Sequence, residues 1–331
     1  MAETAPTRIR QLGSAFRSSR VFLSAVELGL FSALGGPLDA CALAERIGIH
    51  RRGARDFFDA LVALDMLERH DGLYANTGEA TVFLDRASSS YIGGMAEMQA
   101  ARGYDLWGAL TSALRTGEPQ TEAKGDFRLL YQDPARMRNY LRAMTAGSLE
   151  PARSIAGRFP WERFSTFVDV GTAQGCLPVQ VALAHEHLSG QGFDLPVVAP
   201  LFEELVSSFG LEDRLRFHGG DLATDELPAA EVVVMGNLLC DFGLDDKKML
   251  IGKAHAALPS GGALIVYESL IDDERRHNAG ALLASLGMLL QKEVAFGFTG
   301  AECRAWMAEA GFTRSYVEAL DGPRSMVVGF R

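Results

Sequence analysis

The segment Phe167–Gly175, FVDVGTAQG, constrains the fold of this chain more than any other. An apolar strand runs into Gly171, a second glycine follows at 175, and Pro178 stands in the first turn of the helix beyond. On either side the texture repeats. Strand-like runs at Thr166–Val170, Gly192–Asp194, Arg214–His218, Glu231–Met235 and Ala263–Tyr267 alternate with helical patterns at about 178–187, 198–210, 245–258 and 300–310. Such alternation predicts a parallel sheet with helices on both faces. The last two runs, Thr313–Ala319 and Ser325–Phe330, are joined by Asp321-Gly322-Pro323, a turn too tight for a parallel crossover. An α/β sheet closed by an antiparallel hairpin is therefore expected over residues 156–331.

Residues 1–155 read differently. Leu12, Phe16, Phe22, Leu23, Val26 and Leu30 recur at helical spacing, and Gly35-Gly36-Pro37 breaks the pattern. Asp39 is placed to cap a short segment ending at Ile49, and a further helix is expected from about Arg52 to Arg69. His70-Asp71-Gly72 then turns into the strand-like Leu73-Tyr74-Ala75. Helix, turn, helix and small hairpin make a winged-helix-like order. Arg51, Arg52 and Arg55 offer a phosphate-facing reading of that unit, but Asp56, Asp59, Asp65 and Glu68 lie along the same helix. A second apolar stripe, Leu106, Trp107, Leu110 and Leu114, reads as core. With a net charge of −10 the chain lacks the basic balance that nucleic-acid partners require. No apolar run approaches the roughly 20 residues of a membrane span. The polar start and four widely spaced cysteines fit the cytoplasm, and no His/Asp/Glu cluster points to a metal.

The carboxyl ends of the predicted strands carry the chemistry. Gly171 and Gly175 let the backbone turn sharply, and the following helix offers unpaired N–H groups to an anion. Asp169 lies on the strand just before the loop. Asp194, in GFDLP with Leu195, ends the second strand about 20 residues on, where a carboxylate can accept both ribose hydroxyls. Asp221 in GGDL, followed by Leu222, ends the third. Each feature alone is as easily a cap or a surface charge. Three of them at the ends of successive strands converge on one crevice and read as a nucleoside-cofactor site. The dinucleotide pattern G-x-G-x-x-G is not met, since Ala173 occupies its middle position.

With these motifs in their order, VDVGTAQG, GFDLP, GLEDRLRFHGGD, DFGLDDKKMLIGKAHAALPSGGALIVYE and FTGAECRAWMAEAGF, the sequence resembles small-molecule O-methyltransferases of the caffeate and acetylserotonin type over nearly its whole length. The resemblance implies a Rossmann-like domain that binds S-adenosylmethionine near Asp169, Gly171, Gly175, Asp194, Leu195, Asp221 and Leu222. It implies a homodimer formed through the winged-helix-like N-terminal domain, which also serves as a substrate lid. A small acceptor, a specialised metabolite of aromatic character, is expected against Trp107, Met144, Phe242, Met288 and Phe296, side chains that equally suit a core.

The catalytic positions depart from that family. Its His-Asp-Trp triplet, whose histidine takes the acceptor's proton, is here Cys240-Asp241-Phe242. The acid that orients the histidine is retained as Glu268, whereas a second acid is replaced by Gly297. Cys240 acts as a base only if ionised, and nothing beside it in sequence lowers a thiol pKa of ~8.5. Three classes of function are compatible with this departure. One is methylation at O, C or N of an acceptor that needs no histidine. Another is a different reaction on the same fold, such as cyclisation, rearrangement or hydroxylation. The third is a non-catalytic binding or regulatory role.

Overall fold

The structure, a computed structural model, describes residues 6–88, 90–121 and 131–331. The chain forms two compact units, Met1–Asp105 and Leu106–Arg331. This division lies well before the expected one at 155/156, and packing explains the difference. The helix Pro134–Arg158 buries Ala152, Ile155 and Ala156 in the same core as Phe167 and Leu177 of the second unit.

In the first unit the helix Thr7–Glu27 buries only Leu23, Ala25 and Val26 near its C-terminus. Ile9, Leu12 and Phe16, on the same apolar stripe, are 76%, 70% and 54% exposed. Asp39 caps the helix Ala40–Arg46 by accepting from the amides of Cys41 (2.8 Å) and Ala42 (2.9 Å). The next helix, Ala54–Ala63, is shorter than its sequence pattern because Asp65 turns left-handed (φ 59°) and releases the chain into a strand. Strands β1 (Leu38–Asp39), β2 (Leu67–His70) and β3 (Leu73–Asn76) pair antiparallel in the order β1-β3-β2. Asp71 and Gly72, both at positive φ, form the two-residue turn between β2 and β3. Phe31, Phe58, Leu61, Leu67 and Tyr74 fill this unit's core.

The second unit is built on seven strands: β4 (Thr166–Val170), β5 (Ser189–Asp194), β6 (Leu215–Gly219), β7 (Val232–Gly236), β8 (Ala263–Glu268), β9 (Arg314–Ala319) and β10 (Ser325–Phe330). Their order is β6-β5-β4-β7-β8-β10-β9, with β4 to β8 parallel and β10 antiparallel to both its neighbours. The central strands are near-continuous β-branched and apolar runs, as strands covered on both faces must be. Alternate residues feed two cores: Phe167, Val232, Val234 and Ile265 on one face, Val168, Val170, Val233 and Leu264 on the other. The chain runs outward from β4 to β6 on one side and from β7 to β8 on the other. That reversal opens a crevice at the carboxyl ends of β4 and β7. Leu114 of the second apolar stripe, read as core from sequence, is 60% exposed in the helix Leu110–Thr116.

Candidate active site

The loop leaving β4 is wound by three left-handed residues, Gly171 (φ 73°), Ala173 (φ 51°) and Gly175 (φ 86°). Gly175 caps the helix Cys176–Ala184, and a Cβ there would lie 2.7 Å from the Phe202 ring, so only glycine fits. Asp194 ties this loop to the end of β5. Its Oδ2 accepts from the Ala173 amide (2.9 Å) and its Oδ1 from the Leu195 amide (2.8 Å). Burial raises its pKa, while the two amides work in the opposite direction. Beneath the loop Asp169 is buried, and burial, with the Asp194 charge adding, pushes its carboxyl up to about 7. The buried Thr172 hydroxyl makes no well-formed hydrogen bond, yet it lies close enough to Asp169 to offset part of that shift. One strand out, the amide of Gly220 donates to the Asp194 carbonyl (2.9 Å), and Asp221 caps its own turn by accepting from the Ala223 amide (2.9 Å). Leu222 packs, half-buried, on the core below. Beside Leu195 a shallow pocket of about 330 Å³ opens, walled by Tyr131 and Pro196.

This crevice suits S-adenosylmethionine. A glycine loop that tolerates close approach, a helix N-terminus and an inward carboxylate on the adjacent strand match an amino-acid carboxylate and a ribose diol. All seven positions expected to hold the cofactor therefore fall on the same edge of the sheet.

A second cluster lies at the ends of β7 and β8. The turn Leu239–Asp241 brings the Cys240 amide to Glu268 Oε1 (3.3 Å). Glu268, 4% exposed, is pushed up to about 7 by burial, with the Asp241 charge adding and amide donors opposing. Burial, Glu268 and Asp241 all drive the Cys240 thiol well above its ordinary pKa, so a thiolate is disfavoured. Asp241 forms an ion pair with Lys292 at 2.8 Å, both side chains largely buried. Burial still raises its pKa against the pull of Lys292.

Lys247 joins this cluster without a signal in the sequence. It is fully buried, donates from Nζ to the Phe242 carbonyl, and sits 3.6 Å from the centroid of Phe296. Burial lowers its pKa to about 8, although Cys240, Glu268 and Asp241 favour the charged form. In DDKKML it looks like a solvated helix start, and its neighbour Lys248 does reach the surface to pair with Glu309 (2.7 Å). Nothing in the local pattern separates the two. Tyr131 and Tyr140 likewise carry no signal in the sequence. Burial raises both phenols, with the charges of Asp194 and Asp241 adding, and both rings pack against the cluster of Met137, Leu141, Val198 and Leu201.

The expected acceptor residues are all half-buried. Phe242 and Phe296 lie on the core beneath β7 and β8. Trp107 packs over Gly287, next to Met288, with its Cζ2 4.0 Å from where a Cβ would stand. Met144 precedes Thr145, whose hydroxyl donates to Gln174 in the glycine loop (2.9 Å). Gly297, where the resembling family has its second acid, donates its amide to Ser285 Oγ (3.0 Å), and a Cβ there would meet Ser285 at 3.0 Å. The Ser285 and Ile271 side chains stand against the place where that acid would start.

Comparison with known proteins agrees with this geometry. An O-methyltransferase domain matches residues 107–313, and an O-methyltransferase dimerisation domain matches residues 11–86. The chain is 45% identical to the tetracenomycin polyketide synthesis 8-O-methyl transferase TcmO of Streptomyces glaucescens, across 98% of this chain and 96% of that one. It is 40% identical to the N,N-dimethyltransferase OxyT of Streptomyces rimosus, across 94% and 92%. Human N-acetylserotonin methyltransferase in complex with SAM superposes with a TM-score of 0.90 at 25% identity, covering 100% of this chain and 99% of that one. The chain belongs to the O-methyltransferase family and is an S-adenosylmethionine-dependent methyltransferase.

Proposed function

We propose that the enzyme methylates a hydroxyl or amine of a polycyclic aromatic acceptor of the polyketide type, without a histidine base. The observation that carries this reading is Cys240 standing over Glu268 where the family's histidine would stand. The acceptor class rests on similarity: TcmO is named for a tetracenomycin polyketide and OxyT for N,N-dimethylation. The half-buried Trp107, Met144, Phe242, Met288 and Phe296 offer the flat, apolar walls that such a ligand needs.

Bound S-adenosylmethionine supplies an already activated methyl group. The protein's main task is alignment, which can contribute ~7–11 kcal/mol, whereas a general base adds ~10²–10⁴-fold. In this reading Asp194 holds the ribose, with Asp169 and the glycine loop supporting the amino-acid end and Asp221 with Leu222 the adenine side. Two copies associate through the first unit, where Leu12 and Phe16 lie exposed in a matched dimerisation domain and Ile9 lies exposed just before it. The four free cysteines fit a reducing cytoplasm, and no nucleic-acid partner is needed. The test is S-adenosylhomocysteine release with a hydroxylated tetracyclic polyketide. Release that depends on the acceptor supports the reading. Cofactor binding without release from any hydroxylated or aminated polycycle counts against the acceptor class.

A further inference from the structure

A neutral hydroxyl or ammonium acceptor has to lose a proton, and the histidines are occupied elsewhere. His218 stacks on Phe193 and His255 packs edge-on to Phe312. His185 and His187 bond the carbonyls of Ala156 and Trp161, and His50, His70 and His277 lie on the surface. At the expected position stand two groups that are joined to each other. The Cys240 amide meets Glu268 Oε1 (3.3 Å), which sets the thiol beside the same carboxyl, and Glu268 is buried at the carboxyl end of β8.

We propose that Cys240 and Glu268 act as a proton-accepting pair, with the thiol as the bridge and Glu268 as the final holder. The acceptor passes its proton to Cys240 Sγ while the thiol's own proton passes to the Glu268 carboxylate. Cys240 remains a thiol throughout, and Glu268 becomes a neutral acid. The new bond at the acceptor takes its methyl from the sulfonium, whose S–C electron pair returns to sulfur. Glu268 gives its proton to solvent after the product leaves. This inference rests on methyl transfer being the reaction.

The surroundings favour the bridge over a thiolate. Burial, Glu268 and Asp241 oppose a negative charge on Cys240, and Lys292, the cation that favours it, is engaged by Asp241. Glu268 faces Cys240 and Asp241 on the turn, Lys247 from the helix Leu244–Ala257 and Cys303 from the helix Gly300–Ala310. The Cys240 and Leu238 amides oppose the effect of burial on Glu268, and Glu268 and Lys247 favour each other's charged forms.

Infrared difference spectroscopy on the full chain tests the pair without needing an acceptor. On raising the pH through about 7, the neutral-acid carbonyl band of Glu268 should bleach while the Cys240 S–H stretch shifts with the same midpoint. Glu268→Gln should abolish both changes, and Cys240→Ser should keep the carbonyl titration and lose the S–H band. Unchanged S-adenosylhomocysteine binding shows that each variant is folded. An S–H band that ignores Glu268, or that disappears as a thiolate forms at neutral pH, overturns the proposal. For turnover, with 1,8-dihydroxyanthraquinone as the probe, Glu268→Gln and Cys240→Ala should each lose ~10²–10⁴-fold, and Cys240→Ser far less. Equal losses for Ser and Ala also overturn it. Absence of turnover by the unaltered protein speaks against the acceptor class, and the infrared titration still decides the pair.

Discussion

Asp169 and Glu268 are both buried carboxyls held near neutrality, and this leaves a signature that does not depend on activity. The folded pKa of Asp169, about 7, stands above its ordinary value of 3.8. Between those values the fold binds more protons than the unfolded chain, so stability falls as pH rises, and above about 7 the whole penalty is present. Asp169→Asn should therefore stabilise the cofactor-free protein by about 2–4 kcal/mol above neutral pH and have little effect near pH 4, as read by denaturant midpoints. The same change should weaken S-adenosylmethionine binding. Lys247 works in the opposite direction. Lys247→Met removes the buried ammonium, so the acid limb of the pH–rate profile should move to higher pH, whereas a purely structural lysine would leave the limb in place. At this scale the sequence was legible wherever a side chain stands at the end of a strand, as with Asp194, Asp221 and Glu268. Lys247 was illegible because burial of one lysine in a Lys-Lys pair depends on Phe296 and Phe298, which arrive from a distant loop.

Among the elements, those with strong periodicity were readable and those made by tertiary contact were not. The apolar runs of β4, β7 and β8 lie where their patterns placed them. The start of β5 did not show, because Ser189-Gly190-Gln191 has little intrinsic strand preference and is held by pairing with β4 and β6. The helix Ala279–Gln291 was read only as pocket lining, since its run of Leu, Ala and Gly has neither a clean helical stripe nor strand alternation. The left-handed turn at Asp65 ended a helix that the amphipathic pattern carried further. The glycine loop is the element with most at stake. Gly175→Ala forces a Cβ against Phe202 at a left-handed φ and should cost about 1–3 kcal/mol. Thermal unfolding with and without S-adenosylhomocysteine should show a lower midpoint and a smaller ligand-induced rise.

At the scale of the whole molecule, the exposed half of the helix Thr7–Glu27 departs from what a solitary chain would present. Ile9, Leu12 and Phe16 form an exposed apolar stripe, and the matched dimerisation domain takes in Leu12 and Phe16. Replacing Leu12 and Phe16 by Asp should turn a dimer into a monomer in light scattering while S-adenosylhomocysteine binding to the second unit persists. The two-unit plan was readable from the change in texture. Its boundary was not, because the helix Pro134–Arg158 has the N-terminal region's composition but packs in the core of the second unit.

The crevice at the ends of β4 and β5 is central to this account, and calorimetric titration with S-adenosylhomocysteine addresses it most directly, with NAD as the control. The geometry predicts a saturable one-site heat for S-adenosylhomocysteine, none for NAD, and loss of the heat in a folded Asp194→Ala variant. Undiminished binding in that variant, or binding of NAD in place of S-adenosylhomocysteine, would contradict it.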